Sequence, residues 1–391
     1  MKKFLVLGLI LAIAGGAFAQ SFTIGGGIST GLAVQFDAED VQARMRRAGD
    51  HNGIRIDLTG EAVNADGTIG ANIGLRWDDI VFVGWSTGVP ADGGSYLHFI
   101  PDVKTANVWI ALIPSVLRFS LGMGGPGGFD TPGPIGESLD VAGGDMNITA
   151  LINPVPQVTI GATVNLPPLT AIGGEHIFDL EGDIYYSLGV SVNLDNIANF
   201  AFNFQQKFED GTISLATGFD ILALRVVTFA FDGSITDITG NPYLSLGQAI
   251  NLNFGNFGAS LRGRQFLNLK DDEFGENPGM AMLFDANLHY SFGAVTPGLG
   301  VGFGYNTSRD REGFYDSIRA DSLSSTPAVL ADPDVDGKYV AMIFNPNVVF
   351  NFGPSALEIG YSMYFDFGEF GDPPEPPTFF NSLYLAYKYS F

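Results

Sequence analysis

The sequence predicts an all-β chain, a transmembrane antiparallel up-and-down β-barrel of about 16 to 18 strands, 18 being the best count, behind an N-terminal signal peptide. Three observations carry this. Apolar and polar residues alternate with period two in segment after segment, the period of a strand with two different faces. Hydrophobic residues make up 46% of the chain and charged ones only 16%, yet no run after residue 20 approaches the ~18 continuous apolar residues of a membrane helix. Finally, long and short connections alternate along the chain, as they do in a barrel with tight turns on one rim and loops on the other.

The N-terminus reads as a secretory signal. Lys2 and Lys3 precede the apolar run Phe4 to Ile13, and Ala17-Phe18-Ala19 offers a small-x-small cleavage site. Residues 1–19 are therefore expected to be removed, leaving 20–391 as one barrel domain. With no cysteine in the chain, lipoprotein anchoring, disulfides, thiol catalysis and thiolate metal sites are excluded. Without Lys2 and Lys3, the 19 basic residues fall to 17 against 42 acidic ones, a net charge of −25. That balance argues against nucleic acid as a partner, because phosphate binding needs a basic footprint.

Taken in order, the first mature strand places Phe22, Ile24, Ile28, Leu32, Val34 and Phe36 on one face and Ser, Thr, Gly, Ala or Gln on the other. No room is left before it for a plug domain. Asp37 to Asn52 forms a charged loop, and the chain returns through Ile54, Ile56 and Leu58 with Arg55, Asp57 and Glu61 between them. Asn64-Ala65-Asp66-Gly67 is a tight turn. Thr68 to Thr87 reads as one long strand, bulged at Asp78-Asp79, and Gly88 to Lys104 as a connection. Strands near Asn107–Ile113 and Met146–Ile152 look short. Thr212 to Phe231 is poorly phased and fits either one long strand or two short ones, with Asp232 to Pro242 a loop behind it. Clear alternation returns at Val158–Leu166, Tyr186–Leu194, Met282–Phe292 and Leu357–Phe367. Short turns are expected near Pro114, Asn153–Pro156, Asp195–Asn199, Gly255, Gly293–Pro297 and Gly353.

The last segment, FFNSLYLAYKYSF from Phe379 to Phe391, alternates Leu383, Leu385, Tyr387, Tyr389 and Phe391 with Ser382, Tyr384, Ala386, Lys388 and Ser390. It resembles the closing strand of bacterial outer-membrane β-barrels. The resemblance implies an outer-membrane location, a lipid environment, and recognition of the terminal Phe391 by the barrel assembly machinery.

Charges on inward positions are the strongest functional signal. Arg55, Asp57, Glu61, Arg76, Arg118, Arg225, Arg262, Arg264, Asp285, Glu358, Asp366 and Lys388 are expected to line a pore. At about 18 strands a barrel is wide enough for water, and opposed basic and acidic walls filter polar solutes. The same charges also pair with one another and stiffen the wall. The connection Gly125 to Asp145, rich in Gly and Pro, is the third external loop. The layout resembles that of diffusion porins, whose third loop folds into the lumen; this implies a constriction formed by Asp130, Glu137 and Asp140, and a homotrimer.

Other motifs point less far. Asp332, Asp334 and Asp336 echo the start of a calcium loop, but the Glu that should close it is Ile343. No cofactor is implied. His51, His98, His176 and His289 show no metal spacing, and an enzyme is not expected, although His289 and Ser291 share an inward face. Gly298, Gly300, Gly302 and Gly304 form an inward stripe with room for a loop or a solute. Trp77, Trp85, Tyr186, Tyr290, Tyr305, Tyr361, Tyr387 and Phe391 are expected in interfacial girdles. The expectation is a passive channel for small hydrophilic solutes or ions. A closed surface adhesin or scaffold with acidic loops, or a transporter of hydrophobic compounds, are the alternatives.

Overall fold

The computed structural model describes residues 19–36, 41–45, 54–80, 102–125, 127–143, 146–166, 184–222, 226–240, 242–269, 280–306, 339–369 and 378–391. They form one antiparallel sheet closed on itself. In chain order the strands are β1 (Ala19–Phe36), β2 (Val41–Met45), β3 (Ile54–Asn64), β4 (Ile69–Ile80), β5 (Asp102–Ile113), β6 (Leu117–Met123) and β7 (Met146–Val155). Then follow β8 (Val158–Leu166), β9 (Tyr185–Leu194), β10 (Ala198–Lys207), β11 (Ile213–Ile221), β12 (Val227–Thr236) and β13 (Tyr243–Phe254). The circuit is completed by β14 (Phe257–Asn268), β15 (Met280–Tyr290), β16 (Val295–Asn306), β17 (Tyr339–Phe352), β18 (Ser355–Glu369) and β19 (Thr378–Ser390).

Apart from β2 and β3, which both pair with β1, each strand pairs with its neighbour in sequence, and β1 pairs with β19 to close the ring. The short β2 lies against the far end of β1, opposite Leu32 to Phe36, while β3 lies against the rest from Ala19 to Ser29. The two share one place in the wall, so nineteen strands make an eighteen-strand barrel. Closure removes every open sheet edge, as lipid demands of a spanning sheet.

Pairing fixes which residues share a face. One face carries exposed Ile24, Leu32, Val108, Ile148, Leu188, Phe202, Phe219, Leu261, Leu288, Ile359 and Leu385, an apolar belt around the whole circumference. Tyr186, Tyr290, Tyr387 and Phe391 lie on that same face, each more than a third exposed, which fits interfacial rings. The opposite face is polar, with buried Asn107, Asn147, Thr149, Thr163, Ser187, Asn203, Asp232, Asn287, Asn345 and Ser362. Apolar outside and polar inside is the reverse of a soluble barrel. The protein is an integral membrane β-barrel.

The turns on one rim are tight, and six of them hold a left-handed residue: Gly67, Ser115, Asn196, Gly255, Gly293 and Gly353. At the closure, Phe391 and Gly26 exchange two backbone hydrogen bonds of 3.0 Å, and a Cβ on Gly26 would come within 2.9 Å of the Phe391 ring.

Several boundaries differ from the sequence reading. The expected bulge at Asp78-Asp79 is present, since Ile54 pairs with Ile80 but Ile56 with Trp77, and β4 is described only to Ile80. Asp102 to Lys104, read as loop, belong to β5, because Asp102 pairs with Arg76. The strands expected to be short have 12 and 10 residues. The poorly phased region is two strands, β11 and the start of β12, and Asp232 to Thr236 extend β12 rather than open a loop. Residues 1–18, His51, Trp85, His98, His176, Arg225, Asp332, Asp334 and Asp336 lie outside the described residues; Ala19 begins β1.

Candidate functional site

The third external connection, between β6 and β7, folds into the barrel. Its residues Phe129, Thr131, Leu139, Val141 and Ala142 are at most 5% exposed, and they lie against the polar inner face of β7 to β13. Phe129, Val141 and Ala142 form a small apolar core with Leu151 of β7 inside the lumen. Burying two such side chains stabilises the loop's position by roughly 1.5–3 kcal/mol each.

Glycines make the space. Gly161 on β8 and Gly189 on β9 are register partners, and a Cβ on either would come within 2.6–2.8 Å of Phe129 and Val141. Farther along, a Cβ on Gly218 of β11 would lie 3.0 Å from Thr131, and one on Gly247 of β13 would lie 3.0 Å from Ile135 and from Pro134. The inner wall is thus cut back along the line the loop follows.

Side chains of the wall hold the loop's backbone. Asn203 of β10 donates through Nδ2 to the carbonyls of Phe129 (2.6 Å) and Glu137 (3.0 Å), and Gln205 donates to Leu139 O (3.2 Å). Thr163 Oγ1 accepts from Ala142 N (2.8 Å), and Asn165 donates to Asp140 O (3.3 Å). At the stem, Asn72 donates to Asn107 (3.1 Å), which donates to Gly124 O (3.2 Å); Asn147 donates to Gly143 O (2.8 Å). At the tip, the Asp232 carboxylate accepts from Thr131 Oγ1 (2.9 Å), Ile135 N (3.0 Å) and Gly136 N (2.8 Å). Three non-glycine residues of the loop, Leu139, Asp140 and Ala142, hold φ of 47°, 54° and 53°. Left-handed backbone costs roughly 1–2 kcal/mol per residue, so this path is imposed by the wall contacts.

The loop carboxylates sort themselves by these bonds. Glu137 is half-buried, and its Oε1 accepts from Leu139 N (3.0 Å), so it braces the loop. Asp130 and Asp140 are exposed, Asp140 taking one hydrogen bond from Gln205 (3.3 Å).

The predicted wall charges fall into separate groups. Arg55 and Arg76 flank Asp57, with Nε to carboxylate distances of 2.7 and 2.8 Å. Register places Lys388, Ser29 and Arg55 in one row across the seam between β19, β1 and β3. These basic side chains sit on the wall away from the loop, with Asp57 between the two arginines and Asp102 the register partner of Arg76. Glu61 is exposed on β3 opposite Asn72. Arg262 pairs with Asp285 at 2.9 Å, and Arg264 is buried two strands from Asp232 with Gly247 between. Asp366 pairs in register with Ala341 and Thr378.

Some inward residues were missed or misread. Trp109 faces inward over Gly70, with the Arg118 guanidinium carbon 4.2 Å from its ring centre, so Arg118 stacks on the wall. Tyr384 is 4% exposed and donates to Glu358 Oε1 (2.6 Å), so both are wall structure more than lining. The stripe Gly298 to Gly304 does not receive the loop. Asn287 and Asn345 fill the space over Gly300, and Asn347 that over Gly298. His289 lies over Gly258 on the inner face.

No family model matches the chain, and no curated protein matches its sequence. The fold is nonetheless that of solved outer-membrane porins. OccAB1 of Acinetobacter baumannii superposes with a TM-score of 0.54 at 10% identity, over 96% of this chain and 98% of that one. OccK7 (OpdD) of Pseudomonas aeruginosa gives 0.53 at 9% identity, over 95% and 99%. An anion-selective porin from Comamonas acidovorans gives 0.47 at 12%, over 95% and 99%. At such identities the likeness is one of fold.

Proposed function

We propose that the protein is a passive channel for small hydrophilic solutes or ions across the outer membrane, with the β6–β7 loop as its constriction. The infolded loop supports this most directly. A scaffold with a closed lumen has no use for an inner wall cut back by glycines to seat one loop on one side. With the loop packed on β7 to β13, the passage runs between its exposed Asp130 and Asp140 and the facing cluster of Arg55, Arg76 and Lys388. Charges of opposite sign across a passage orient and select polar solutes.

A reversal potential under a salt gradient tests this. A unit charge ~8 Å from the path of an ion in water contributes about 0.5 kcal/mol, a factor of about two in ion partition. Asp130→Asn with Asp140→Asn is therefore expected to shift the permeability ratio toward anions by about twofold per charge. Arg55→Gln with Arg76→Gln is expected to shift it toward cations by at least a similar factor, because the Asp57 carboxylate they release also favours cations. No shift from the loop pair would place those carboxylates outside the conducting path and refute the constriction.

A further inference from the structure

We infer that Asp232 is the positioning residue that fixes the width of the passage, by latching the loop tip to the wall. The inference rests on the constriction proposed above. Asp232 is completely buried although it is a carboxylate on the inner wall of a polar barrel. Its burial is produced by the loop itself. Thr131 Oγ1, Ile135 N and Gly136 N all donate to it, and the Thr131 hydroxyl in turn accepts from Glu137 N at 2.9 Å. One side chain thus ties both arms of the tip, Thr131 on the way in and Ile135 to Glu137 on the way out.

The geometry around it is built for that contact. Gly218 and Gly247 are the register partners of Asp232 on the two adjacent strands. A Cβ on Gly218 would lie 2.6 Å from Asp232 Cβ and 3.0 Å from Thr131 Cβ, and one on Gly247 would meet Ile135 and Pro134. Asp232 therefore stands in a slot between two glycines, reachable by backbone N–H groups, with Arg264 the next side chain in its row, on β14. The other wall groups that hold the loop are neutral: Asn203 also spans its two arms, at Phe129 O and Glu137 O, while Gln205, Thr163 and Asn165 bond Leu139 to Ala142, nearer its base. Bonds from N–H to an ionised carboxylate are about twice as strong as neutral ones. The tip lies farthest from the stem in sequence, so its fastening limits how far the loop can swing.

Single-channel recording of variants in planar bilayers provides the test. Asp232→Ala is expected to raise conductance by about 1.5- to 2-fold and to add current noise, as the tip leaves the wall. Asp232→Asn, which keeps an acceptor oxygen, is expected to fall between. The chain has no cysteine, so Ile135→Cys with Gly247→Cys introduces a single thiol pair beside the latch. In the Asp232→Ala background, the oxidised pair should restore the parent conductance and reduction should abolish the restoration. A carboxylate needed only for folding would not be replaced by a bond to the loop. If Asp232→Ala folds poorly, the oxidised and reduced forms of the triple variant are compared in one channel. Equal conductance in the two forms, or a parental conductance in Asp232→Ala, would overturn the latch. The constriction itself stands or falls separately: if excising the loop raises conductance and releasing Asp232 does not, only the latch fails.

Discussion

Excising residues 127–141 and joining the flanks with two glycines is expected to raise single-channel conductance about twofold or more, since an eighteen-strand barrel leaves an aqueous interior once nothing folds into it. The barrel should survive. No strand is shortened, because β6 ends at Met123 and β7 begins at Met146. The surfaces uncovered are Leu151 and the glycines of β8 and β9, which cost little in water compared with the backbone ladder that remains. Heat-shift electrophoresis checks folding, and bilayer recording reads the channel. An unchanged conductance in a folded variant would mean that the loop does not limit flow.

A second large effect should come from one methyl-bearing side chain placed under the loop. Gly189→Val puts a Cβ 2.7 Å from the Phe129 ring, 2.8 Å from Val141 and 2.8 Å from Asn203 Oδ1, all of which are buried. Neither Phe129 nor Val141 can stay, so the apolar core of the loop is lost, worth roughly 3–6 kcal/mol for the pair. Valine suits a strand better than glycine, so the wall itself is not weakened. The expected outcome is conductance close to that of the excised form, with the full loop still present. A parental value would show that the loop is held by its hydrogen bonds alone.

Much of this architecture is legible in the chain, and the reason is the strict period of a two-faced strand. In β9, β15 and the Leu357–Phe367 stretch of β18, each outward position is apolar or aromatic and most inward ones are polar or small. The eye fails where the phase carries through a turn. Leu222 to Val226 contains no Gly, Pro, Asn or Asp, and its five residues leave Ile221 and Val227 on the same face. Two strands then look like one irregular strand, although the chain reverses between them.

The place of the infolded loop and its acidic residues were also legible, from composition and order along the chain. What grips it was not. Asp232 lies 101 residues from Thr131, and Asn203 lies 74 from Phe129. Such pairs become neighbours only through barrel closure and register. A usable sign was present in the inward glycines Gly161, Gly189, Gly218 and Gly247, spread over β8 to β13. The denser glycine stripe on β16 carries the same sign but has a different cause, since the side chains of Asn287, Asn345 and Asn347 occupy the room it leaves. Glycine marks where something approaches the backbone; which group approaches is decided by the neighbouring strands.

The most direct test of an open lumen narrowed by a loop is to add the purified, folded protein to a planar bilayer in symmetrical potassium chloride. Discrete current steps of uniform size are expected, with amplitude rising in proportion to voltage. A folded barrel that inserts and gives no steps would contradict the account, because it would mean that the loop and wall close the lumen instead of narrowing it.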